Sequence, residues 1–162
     1  MKKNLLVLLT FFLLAFNFNV KAQTTLETYT WADLGISFLA PNDLDIEIND
    51  SESFESLSEI MLLSLSNDSS NEYYSSMDDL EVVAKFMAVD MGFSNNGTAT
   101  RQVVSLGDFD ALVLKGQVDE DDVVLAMLAT EDFKTVFILT ILYSAEDSEE
   151  IVNEIITSFK LN

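Results

Sequence analysis

The densest group of side chains able to do chemistry in this sequence is Asp119-Glu120-Asp121-Asp122, four consecutive carboxylates between two apolar runs. Carboxylates crowded on a tight turn could ligate Ca²⁺ weakly through oxygen. The run lacks the spaced acids, the Gly and the distant bidentate Glu of a dedicated calcium loop. A second acidic row, Asp43, Asp45 and Glu47, alternates with Leu44, Ile46 and Ile48, and Asp50 extends it. On a strand this alternation puts the acids on one face, where charge keeps an edge from aggregating. Tyr73-Tyr74, set in a polar stretch, form a candidate partner contact, because aromatics are enriched at protein interfaces; packing against a neighbouring helix is the plainer role.

Other chemistries are pruned by what the chain does not contain. It has no His and no Cys, which removes imidazole acid–base groups, Ser-His and Cys-His pairs, and the usual ligands of zinc, copper and haem. Gly92-Phe93-Ser94-Asn95-Asn96-Gly97 is one residue too long for a nucleophile elbow, and no Ser-x-x-Lys occurs. Carboxylate chemistry remains open, including glycoside hydrolysis, which needs only two acids. Among 28 acids no pair identifies itself. No cofactor is expected beyond weakly held calcium. Asn67-Asp68-Ser69 and Asn96-Gly97-Thr98 match the glycosylation sequon.

Charge and leader narrow the setting. Lys2 and Lys3 precede an apolar run from Leu5 to Phe16, and Val20-Lys21-Ala22 closes it with small residues where a signal peptidase reads. This is the pattern of a signal peptide, residues 1–22, cut after Ala22. The run is too short for a stable membrane anchor, and with no Cys after it no lipid anchor is expected. Residues 23–162 then form one exported, soluble domain, periplasmic or extracellular. The three lysines leave with the leader, so five basic residues face all 28 acids. Such a surface repels nucleic acid and anionic lipid. It suits cations or a basic protein partner, or serves solubility alone.

The elements that would position these groups follow from periodicity. Leu26–Trp31 and Ile36–Ala40 read as strands joined by a turn at Ala32–Gly35. Asp43–Ile48 reads as a half-buried strand, Asn49–Ser58 as a loop, and Glu59–Ser66 as a buried strand ahead of the polar loop Asn67–Ser76. A helix is expected from Met77 or Asp78 to Met91, capped by Ser75 or Ser76 and stopped by Gly92. Leu80, Val83, Ala84, Met87 and Met91 form one apolar stripe on it. Val82, Phe86, Val89 and Phe93 form a second, so a wide buried face is expected.

Four strands follow: Thr100–Leu106, Phe109–Val118, Val123–Glu131 and Thr135–Tyr143. Their short connections, Gly107-Asp108 among them, imply an antiparallel meander. Apolar residues on both faces of the later strands require cover on both sides. A last helix, about Asp147 to Phe159 with Ser144 as its cap, supplies one cover and the first helix the other. The fold class is α/β of the α+β type: an antiparallel sheet of about six strands sandwiched between helices.

The early hairpin Gly35-Ile36-Ser37-Phe38-Leu39-Ala40-Pro41, then strand, helix, meander and a final helix ending Ile156-Thr157-Ser158-Phe159, resembles the PsbP-like family. That family is an α/β/α sandwich found in extrinsic photosystem subunits, a nuclear-import factor that binds a small GTPase, and many small exported bacterial proteins. Asn42-Asp43-Leu44 stands where the family usually has a large aromatic after the Pro. The resemblance implies a non-catalytic binding or assembly module and carries over no catalytic residue. Two alternatives stay open: a Ca²⁺- or Mg²⁺-dependent carboxylate hydrolase, and a structural envelope protein with no small ligand. The oligomeric state is also left open.

Overall fold

The computed structural model describes residues 24–68, 74–93, 100–119, 121–143 and 148–162. The leader, Tyr73, Glu120, the turn and sequon about Asn95–Thr98, and the Ser144–Asp147 cap lie outside the described residues.

The strands are β1 (Leu26–Trp31), β2 (Ile36–Pro41), β3 (Asp45–Asn49), β4 (Ser53–Leu57), β5 (Met61–Asn67), β6 (Thr100–Ser105), β7 (Asp110–Val118), β8 (Asp121–Ala129), β9 (Val136–Tyr143) and β10 (Lys160–Leu161); the helices are α1 (Met77–Asp90) and α2 (Ser148–Thr157). Seven strands form one antiparallel sheet in the order β3-β4-β5-β9-β8-β7-β6, and β1-β2-β10 form a second. The fold is a mixed α+β architecture around a large antiparallel sheet, as expected. It has more strands than the six anticipated, and a small sheet shares the covering of one face with α2.

Alternation along the central strands builds the two cores. Val124, Ala126 and Leu128 of β8 and Phe137, Leu139 and Ile141 of β9 join Trp31, Ile36 and Phe38 of the small sheet and Val152, Ile155 and Ile156 of α2. Leu125, Met127 and Ala129, with Val136 and Ile138, turn the other way onto Leu80, Ala84 and Ala88 of α1. A period of two on strands buried on both faces produces this division.

Phe38 links the layers on the first side. It stacks on Phe159 at 4.9 Å and 11° and meets Phe54 edge-on at 5.4 Å. Trp31 and Phe109 pack on Phe137 at 6.1 and 5.9 Å. Such aromatic pairs each add about 0.5–1.5 kcal/mol beyond the area they bury. The C-terminus is tied down by backbone: Asn162 N–H donates to the Gly35 carbonyl at 2.8 Å, and Leu161 N–H to the Asp108 carboxylate at 3.0 Å.

The structure departs from the sequence reading in three places. Asn49–Ser58 holds strand β4, whose Phe54 and Ser56 point into the core while Ser53, Glu55 and Leu57 point away. The tail after α2 adds β10 to β2. The third concerns β3, every residue of which is exposed, so it is not half-buried. The register shifts between Ile46 and Ile48: Ile46 lies opposite Ser56, whereas Ile48 lies opposite Glu55. That irregularity at Glu47 places the two isoleucines on opposite faces, as a bulge does.

Candidate interaction surface

Helix α1 is the element whose exposed side chains depart furthest from what its packing requires. Ser76 caps it, its hydroxyl accepting from Asp79 N–H at 3.3 Å, and Asp79 in turn accepts from the Ser75 and Ser76 hydroxyls at 2.8 and 2.9 Å. Those hydrogen bonds, first from the Ser75 side chain, hold the Asp79 carboxyl below the usual range. Past the helix, Gly92 takes φ +79°, the left-handed conformation that ends helices.

At about 100° per residue, Leu80, Ala84 and Ala88 form the face on the sheet. The small alanines let the helix sit close. Val82, Phe86 and Val89 fall within about 60° of one another on the opposite side. They are 55%, 68% and 72% exposed. Of the expected second buried stripe, Phe93 packs on the α1 core, whereas Val82, Phe86 and Val89 face solvent, because the sheet lies against one side of α1 alone. Asp78, Asp79 and Asp90 flank it, and Lys85 is bridged to Glu81 at 2.6 Å. The signal for this was present: all the charged residues of the helix share the half that carries Val82, Phe86 and Val89.

The residues singled out from sequence are placed as follows. Asp119 takes φ +55° at the tip of the β7–β8 hairpin. Asp121 and Asp122 lie in β8 itself, opposite Val118 and Gln117. The four acids are therefore not one loop. Asp122 accepts from the Gln117 amide at 2.8 Å. Among the described residues no three metal-ligating side chains converge. Asp43 accepts from Glu59 N–H at 3.1 Å, and Asp50 from Glu52 and Ser53 N–H at 2.8 and 2.9 Å. Both therefore serve turns, and the backbone donors of Ser53, then Glu52, lower the Asp50 pKa. The bulge splits Asp45 and Glu47 from the regular row that strict alternation would give.

Tyr74 is corrected as a partner contact. It is buried in the α1 core, and its hydroxyl donates to the Asp68 carboxylate. Burial, then Asp122 and Glu149, raise the pKa of the Tyr143 phenol. A cleft of about 260 Å³ runs between α2 and β6–β7, where Lys115 donates to Glu149 at 3.0 Å and Asn153 at 2.9 Å. Its one described cation is already neutralised. Among the described residues no helix is long and apolar enough to cross a membrane.

No family model and no curated protein matches the chain. Solved structures do. The Ran-binding protein Mog1p of Saccharomyces cerevisiae superposes with a TM-score of 0.54 at 9% identity, over 86% of this chain and 96% of that one. A point mutant of Mog1 gives 0.58 at 8% identity, over 85% and 96%. A protein from Bacteroides thetaiotaomicron gives 0.50 at 15% identity, over 86% of this chain and 49% of that one. The fold is Mog1/PsbP-like. At these identities the likeness is one of architecture. Membership in a PsbP-like family of small exported proteins is corrected accordingly: no family model supports it, and two of the three superposed structures are Mog1.

Proposed function

We propose that this chain is an exported, non-catalytic accessory module that binds a basic protein partner on the outer face of α1. The observation that carries the reading is the exposure of Val82, Phe86 and Val89 in one stripe bordered by carboxylates. Desolvating three apolar side chains would supply affinity. The flanking acids would supply orientation and fast encounter with a cationic surface. Mog1p, a Ran-binding protein on the same architecture, is a precedent for protein binding on this fold. The leader implies export, and the acidity disfavours nucleic acid and anionic lipid as partners.

The test is affinity capture from envelope and secreted fractions with the mature protein and a Phe86→Ser, Val89→Ser variant. A protein retained by the parent, lost from the variant and eluted by salt supports the reading. Equal retention by both, at every salt concentration, refutes it.

A further inference from the structure

A second uncovered surface lies beside α1, on the sheet itself. The residues packed under α1 come from β7, β8 and β9. A seven-stranded sheet is about 30 Å wide at ~4.8 Å per strand. One helix about 10 Å across covers only two or three strands. Among the described residues, none from β3, β4 or β5 joins the core under α1.

The contrast between the two sides of these strands is sharp. On the core side Phe54, Met61, Leu63 and Leu65 are at most 3% exposed. On the other side Leu57 and Leu62 are 48% and 42% exposed. These two lie opposite each other, Leu62 lies opposite Leu142, and Leu142 opposite Val123. An apolar ladder therefore runs from β4, one strand in from the edge, toward the ground α1 occupies, with Asp45 of β3 at its outer end. Beside it run the hydroxyls of Ser64 and Thr140, and the bulge in β3 brings Ile48 onto the same face next to Glu55.

Charge says what could cover it. Asp45 and Glu55 sit on this face, and no Lys or Arg occurs anywhere between Lys21 and Lys85. A second copy would bring the same anionic face, and an anionic membrane would be repelled likewise. The missing cover is an element with an apolar stripe and basic flanks.

We propose that the β3–β4–β5 face seats a cationic amphipathic helix of a protein partner, laid on the Leu57–Leu62–Leu142 ladder beside α1. This site is separate from the outer stripe of α1 and does not rest on it. A helix there completes the layer that α1 begins, and its lysines or arginines reach Asp45 and Glu55.

The probe is a peptide of about 18 residues of Leu and Lys in amphipathic order, about 27 Å long as a helix. The controls are a scrambled peptide of the same composition and a Leu/Glu analogue. Binding to the mature protein is measured by calorimetry for the parent, for Leu57→Thr with Leu62→Thr, and for Phe86→Ser. Threonine keeps strand propensity at exposed positions, so the double variant retains the fold, checked by its unfolding midpoint. The amphipathic Lys peptide is expected to bind the parent, to bind the double variant at least about tenfold more weakly (~1.4 kcal/mol), and to bind Phe86→Ser within about twofold (~0.4 kcal/mol). Loss in Phe86→Ser alone would assign the peptide to α1 and overturn the proposal while leaving the α1 reading intact. Equal binding of the scrambled peptide, no binding at all, or Leu62-dependent self-association of the protein would also overturn it.

Discussion

Truncating Leu80 and Phe86 to alanine, six residues apart on one helix, should give very different costs. Leu80 is fully buried and touches the sheet. Its removal leaves a cavity between helix and sheet, at a cost of about 2–5 kcal/mol. Phe86 keeps 68% of its surface in solvent. If a phenylalanine buries roughly 200 Å² when enclosed, about 65 Å² is covered here, near 1.6 kcal/mol at ~25 cal/mol/Å². Alanine recovers about 0.5 kcal/mol through its better helix propensity. The net expectation for Phe86→Ala is about 1 kcal/mol. Urea unfolding followed by Trp31 fluorescence reads both, since Trp31 is fully buried with its indole N–H donating to the Asp50 carbonyl. The m-value should not change. A cost for Phe86→Ala above about 2 kcal/mol, in the range of a filled core site, would mean that the outer stripe is packed within the molecule and would remove the case for a partner there.

Further predictions follow from the same geometry. A Cβ on Gly116 would stand 2.5 Å from Phe93 Cδ2. Gly116→Ala should therefore destabilise by about 1–3 kcal/mol, and Phe93→Ala should convert the same substitution into a neutral or stabilising one in a double-mutant cycle; a cost independent of Phe93 would contradict the contact. The Lys134 and Thr130 side chains hold the Asp132 carboxyl at a pKa of about 2, below the usual carboxylate range. A carboxyl depressed on folding contributes stability above its unfolded pKa and loses it as pH falls through the folded one. The Tm advantage of the parent over Asp132→Asn should thus be full above about pH 4 and vanish toward pH 2, and a gap that widens on acidification would reverse the assignment. If the acids about Asp119–Asp122 act only as a solvated tip, Ca²⁺ and Na⁺ at matched ionic strength should raise Tm equally, whereas a saturable calcium-specific rise would mark a site.

The two-faced meander was legible because Val, Ile, Leu and Phe fill both parities of β7, β8 and β9, and short connections leave few topologies. α1 was legible from its Ser cap, acidic first turn and terminal Gly. β4 was not, because Ser53-Phe54-Glu55-Ser56-Leu57 has polar composition and its pairing with β5 is decided by tertiary contact. β10 is two residues long and exists only as a partner of β2. The bulge in β3 has no local signature, so Ile46 and Ile48 read as one face and occupy two. For the candidate surface, the stripe itself could be read from spacing, but its exposure depended on how many layers lie over the sheet. Tyr74 is the converse case: an aromatic in a polar stretch that packs inward because α1 begins beside it.

The most direct measurement is site-specific photo-crosslinking from position 86, with Phe86 replaced by a benzoyl-phenylalanine and an equivalent probe at exposed Glu154 on α2 as the reference. The account predicts a discrete, salt-sensitive crosslinked species with a basic protein from position 86 and none from position 154. Equal crosslinking from both positions, or none from position 86 under conditions where the partner is retained, would contradict it.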